Sequence, residues 1–105
     1  MQNQQINKLK GLIGIANKAG YVIFGADNLK NYTKKLYLLV KAKETGNSIT
    51  KIVNNLKNER SVDFVEIENQ KLCEITNSQN CKLIGIKNKG LSEEILKVIR
   101  GENIG

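Results

Sequence analysis

Histidine and proline are absent from the 105 residues, and only Arg60 and Arg100 among the 17 basic residues are arginine. The missing imidazole excludes His-based zinc sites, histidine general bases, and Ser-His or Cys-His nucleophile pairs. The missing proline, together with the lack of any Ser/Gly-rich run, repeat period or block of five like charges, leaves nothing that marks a linker. No apolar stretch approaches the ~20 residues needed to cross a bilayer. Met1 to Asn7 is polar and uncharged, unlike the basic start and apolar core of a secretory signal, so the expected compartment is the cytosol. There Cys73 and Cys81 are expected as free thiols that serve as small apolar residues.

What is present is lysine. Seventeen basic against ten acidic residues give a net charge of +7, a balance that favours a polyanionic partner. Lysine meets phosphate as a point charge and is poorer than arginine at bidentate reading of base edges, so a large nonspecific contribution to binding is expected.

Hydrophobic spacing lays out the elements. Ile6, Leu9, Ile13 and Ala16 form the stripe of an amphipathic helix over Gln4 to Lys18, with Gly20 placed to end it. Tyr21 to Phe24 reads as a short buried strand, Ala26 to Thr33 as a short helix, and the almost wholly apolar Leu36 to Val40 as a central strand. A helix capped by Asn47 or Ser48 follows to Arg60, then a strand over Asp63 to Ile67 and a short helix over Glu68 to Thr76. Asn77 to Asn80 is a polar loop, Lys82 to Lys87 a strand closed by Gly90, and Ser92 caps a last helix stopped by Gly101. This alternation predicts one α/β domain, a three-layer α/β/α sandwich on a central four-stranded sheet, mixed or mostly parallel.

Catalytic signals are thin, and none of the residues forms a convincing active or metal site. Glu66 and Glu68 at a strand end and Glu93 and Glu94 in a first helical turn are read as solvated or dipole-complementing carboxylates. Gly11-Leu12-Ile13-Gly14 matches a backbone-clamping GxxG loop only superficially, because it falls inside a helical stripe. The five aromatics are spread over separate elements and make no stacking platform. The polar, basic corner after Phe24 is different. Gly25, Asp27, Asn28, Lys30 and Asn31, with Lys18, Lys34 and Lys35, bring together a helix N-terminus, amide side chains and cations, which together suit RNA. A helix capped by Asp27 beside solvated lysines is the plainer alternative.

Several segments resemble the kink-turn RNA-binding proteins of the ribosomal L-seven-Ae and L-thirty-e family, above all its small bacterial YlxQ-like members. Leu12 to Gly20 resembles those members' LGLANRAGK, Lys71 to Thr76 their ELGRAIG, and Lys82 to Leu91 their closing VVVAITDKGF, in the same order over nearly the whole chain. The resemblance implies a noncatalytic RNA-binding protein without cofactor or metal, a cytoplasmic monomer whose partner is structured RNA, either a kink-turn or ribosomal RNA within the ribosome. It places Gly25, Ala26, Asp27 and Asn28 at the sheared G·A pairs of the bend. Asn31 stands where the family carries lysine, with Lys30 one residue early. A second contact surface is implied at Ile75, Thr76, Asn77, Ser78, Gln79 and Asn80, before the last strand. The alternatives are the same fold with altered RNA specificity, and a protein-interaction module that offers its basic face to an acidic partner.

Overall fold

The computed structural model describes residues 2–101. In chain order the elements are α1 (Asn3–Lys18), β1 (Val22–Phe24), α2 (Ala26–Asn31), β2 (Leu38–Ala42), α3 (Asn47–Arg60), β3 (Asp63–Ile67), α4 (Asn69–Thr76), β4 (Leu83–Ile86) and α5 (Lys89–Arg100). Ile6, Leu9, Ile13 and Ala16 are the buried residues of α1, as the stripe requires.

The strands lie in the order β1-β4-β2-β3. Side chains alternate across the sheet. Leu38, Val40, Ala42, Ile67, Ile84 and Ile86 face α1, α4 and α5, while Leu39 and Leu83 face α2 and α3. The result is a three-layer sandwich on a mixed sheet. The expectation of mostly parallel neighbours is corrected, because β2 and β3 are parallel but β4 runs antiparallel to both β2 and β1. The cause is connection length. The 14-residue α3 carries the chain back past the sheet for a parallel re-entry, whereas the 8-residue α4 and the loop after it return the chain to the end it left. Strands β1, β2 and β3 therefore share one direction, and the N-termini of α2, α3 and α4 converge at one end of the sheet. Among the described residues no helix is long and apolar enough to cross a membrane.

The cap assignments change in three helices. Gly46, not Asn47 or Ser48, occupies the N-cap of α3. Gly25, not Asp27, occupies that of α2, which ends at Asn31. Asn88 caps α5, its Oδ1 accepting from the Leu91 N–H at 2.9 Å, so Gly90 lies in the helix's first turn rather than closing β4. Ser92 is thereby drawn inside, 5% exposed, with its Oγ unpartnered among the described residues. A hydroxyl left dry and unpaired costs about 1–3 kcal/mol. Ser92→Ala is accordingly expected to raise the midpoint of thermal unfolding, and a lower midpoint would show that the hydroxyl has a partner.

Candidate nucleic-acid interface

The convergent sheet end holds the groove. Gly25 leaves β1 with φ +91° and ψ 148°, a conformation that side chains disfavour, while its N–H donates to Leu83 O at 3.0 Å. That bond ties the start of α2 to the start of β4. The loop before β4 therefore lies directly across from α2, and between them is an open groove of about 300 Å³. Phe24, Gly25 and Ala26 line one side, Ser78, Asn80 and Cys81 the other, with Ile49 of α3 and Lys82 beside them.

Asp27 and Asn28 are exposed in the first turn of α2, and the turn has no side-chain cap. The Asn28 Nδ2 donates to Phe24 O at 2.9 Å. One of its two N–H donors is thus engaged, which fixes the amide's orientation and leaves its Oδ1 as an acceptor. Asp27 and Asn28 together offer acceptor oxygens to a partner's N–H edges, the groups a guanine or an exposed adenine amino group supplies. Backbone N–H groups of the same turn supply the complementary donors.

The second predicted surface is narrower than expected. Ile75 is 4% exposed in the core, and Thr76 donates its hydroxyl to Leu72 O at 2.8 Å, so both belong to α4 and not to the loop. The reason is the helix end. Asn77 adopts φ 54° and closes α4, and only from there do Asn77, Gln79 and Asn80 stand exposed with Ser78 half-buried. The predicted lysines also divide. Lys18, Lys34 and Lys35 lie at the opposite end of the sheet, since Tyr21 and Tyr37, two or three residues further along the chain, bond Lys87 and Ile86 at the far end of β4. Lys30 and Asn31 are exposed on the last turn of α2, between the two ends. Lys82, which sequence reasoning assigned only to a strand, is the lysine on the groove.

Both cysteines are free thiols. Cys73 is only half-buried and donates to Gln79 O at 3.2 Å, bracing the loop. Cys81 is buried, and that burial pushes its thiol up from the usual range, keeping it protonated.

One residue pair escaped sequence reasoning. Lys41 lies 5% exposed within β2, its Nζ donating to Glu66 Oε2 at 2.9 Å and to Ala42 O at 3.0 Å. Glu66 is thus an ion-pair partner rather than a merely solvated carboxylate. The pair sits beside Leu83 in the sheet, behind the groove.

No family model matches the chain, and no curated protein matches it in sequence. Among solved structures, a protein of unknown function from Bacillus halodurans C is similar, with a TM-score of 0.75 over 89% of this chain and 97% of that chain, at 18% sequence identity. That likeness shows the fold and nothing of its use.

Proposed function

We propose that the protein is a noncatalytic, cytoplasmic RNA-binding protein of the L-seven-Ae and L-thirty-e kind, a monomer that grips a kink-turn or a similarly bent structured RNA, including ribosomal RNA. The observation that carries the reading is the juxtaposition across one groove of Gly25 and Ala26 with Ser78 and Asn80. Two chain segments more than fifty residues apart, each a contact surface in the family this sequence resembles, face one another here. The orientation of Asn28 adds support, because its free acceptor suits the donor edges of sheared G·A pairs. The N-termini of α2, α3 and α4 also aim backbone N–H groups toward this end, alongside the carboxylates of Asp27 and Glu68.

A second reading, the same fold with altered RNA specificity, is favoured by Asp27, whose carboxylate repels phosphate, and by Asn31 in the place of a lysine. The two readings separate in one titration. Against a length-matched straight duplex, a kink-turn RNA is expected to bind at least about tenfold tighter, ~1.4 kcal/mol, with the margin kept as salt rises. Asn31→Lys is expected to widen that margin. Equal binding of both RNAs, fading together with salt, would remove the kink-turn reading.

A further inference from the structure

Lysines rest on two of the chain's three tyrosines, and all three tyrosines gather at the end of the sheet away from the groove. The Lys87 N–H donates to Tyr21 O at 2.8 Å and the Tyr37 N–H to Ile86 O at 2.9 Å, which brings the segments before β1, before β2 and after β4 to one level. Lys87 Nζ stands 5.3 Å from the centre of the Tyr32 ring, and Lys35 Nζ 5.5 Å from that of Tyr37. Lys34 is exposed next to them, its carbonyl accepting from Arg60 at 3.5 Å. Residues that looked scattered along the chain are thus collected by the fold.

Three neighbouring cations have a local explanation, and Lys89 opens α5 just beyond Lys87. Lys18, Lys30 and Arg60 occupy the last turns of α1, α2 and α3, where a positive charge complements the helix dipole. Lys34, Lys35 and Lys87 belong to no helix, so that account does not reach them. Of the acids nearby, Glu59 and Asp63 lie at the end of α3 and the start of β3, with β2 separating β3 from β4, and Glu93 and Glu94 lie a turn into α5, on the opposite face of the sheet from α2. A lysine held over an aromatic ring has already lost part of the rotamer freedom that gripping a phosphate would cost it. Tyr21, 37% exposed, adds a phenolic hydroxyl that can donate to an anionic oxygen.

We propose that Lys35 and Lys87 on their tyrosines, together with the neighbouring Lys34, form a second RNA contact that holds the sugar-phosphate backbone of a helical stem flanking the bend. This rests on the RNA-binding reading of the groove. The two contacts are separated by the length of β4, four residues or about 13 Å. A stem leaving the groove covers that in roughly four to five base pairs.

The test uses the full chain, a Lys34→Gln/Lys35→Gln/Lys87→Gln variant confirmed as folded by circular dichroism, and three RNAs. These are a kink-turn with minimal stems, the same kink-turn with one stem lengthened by a helical turn, and a straight duplex of the longer length. The variant is expected to lose about tenfold in affinity for the long-stemmed RNA, with its salt slope flattened by roughly two to three, while the minimal kink-turn binds within about twofold of wild type. Because the chain has no tryptophan and its three tyrosines lie at this end, intrinsic tyrosine emission should change on binding the long-stemmed RNA and not the minimal one. Equal losses on both kink-turns would assign these lysines to the groove and overturn the proposal, as would no loss on any RNA. Loss of polyglutamate binding with RNA binding intact would make the surface a site for an acidic protein and overturn it too. If wild type does not prefer the minimal kink-turn to the straight duplex, the groove reading fails by itself, and loss of straight-duplex binding by the variant still upholds the backbone contact.

Discussion

Alanine at Gly85 is expected to destabilise the fold by about 1–3 kcal/mol and, on the proposed function, to weaken RNA binding as it does so. Gly85 lies in β4 on the side of the sheet that faces α2 and α3. A methyl group there would overlap Leu29 Cδ2 and press on Leu36 Cδ2 at 3.3 Å. All three leucines around the site, Leu29, Leu36 and Leu39, are buried, so none can swing into solvent to make room. Overpacking of this kind is relieved by backbone movement. The element with least to hold it is α2, whose buried residue is Leu29 alone. Its displacement would carry Gly25, Asp27 and Asn28 away from the loop across the groove. In a domain of this size, 1 kcal/mol corresponds to about 4–8 °C, so thermal unfolding resolves the effect easily. Gly14→Ala is the matched control. It is exposed on α1 with nothing within 4 Å of the new methyl, and it should be neutral or stabilising by up to about 1 kcal/mol. Equal midpoints for wild type and Gly85→Ala would mean that the leucines do not fill this space.

The second large effect is an asymmetry between two partners. Glu66→Ala is expected to cost about 1–3 kcal/mol, because it leaves the buried Lys41 ammonium with Ala42 O as its remaining acceptor. The figure stays below that for a wholly buried pair, since the Glu66 side chain is 45% exposed and water reaches the vacated position. Lys41→Met should behave differently. It removes the charge that is costly to bury, substitutes an apolar chain of similar length, and leaves Glu66 where water already solvates it, for a change within about 1 kcal/mol in either direction. Urea unfolding of both variants, compared at unchanged slope, reads the difference directly. If the two substitutions cost the same, the ammonium is not the group whose burial governs the pair.

Helices were legible where a single stripe decides them. Ile6, Leu9, Ile13 and Ala16 locate α1 to within a residue of its observed start, because burial of one helical face leaves a period that no strand shares. Strand orientation was not legible. Whether β4 runs with or against its neighbours depends on where α4 ends, and that is set by Asn77 taking a left-handed conformation, a choice that polar loop composition alone does not reveal. The corner at Gly25 was readable from a glycine between a strand and a helix, and so was the loop through Asn80. Their meeting across a groove was not, since it comes from the sheet pairing that puts Leu83 against Gly25. Lys41 was missed for a related reason. A lysine after Leu36 to Val40 reads as the end of a strand, yet β2 continues to Ala42. The available signal was Ala42 itself, an apolar residue resuming the alternation, with Glu66 at a matching position in the next strand.

The attachment of α2 bears on how this surface can change over generations. Leu29, with the half-buried Ala26, fastens the helix to the interior, and Asp27, Asn28, Lys30 and Asn31 are all exposed. Substitutions at such positions usually shift stability by no more than about 0.5 kcal/mol. Selection can therefore rewrite what the helix recognises while the scaffold beneath it goes on folding. A lineage can trade one binding partner for another through single replacements, each intermediate remaining a stable protein.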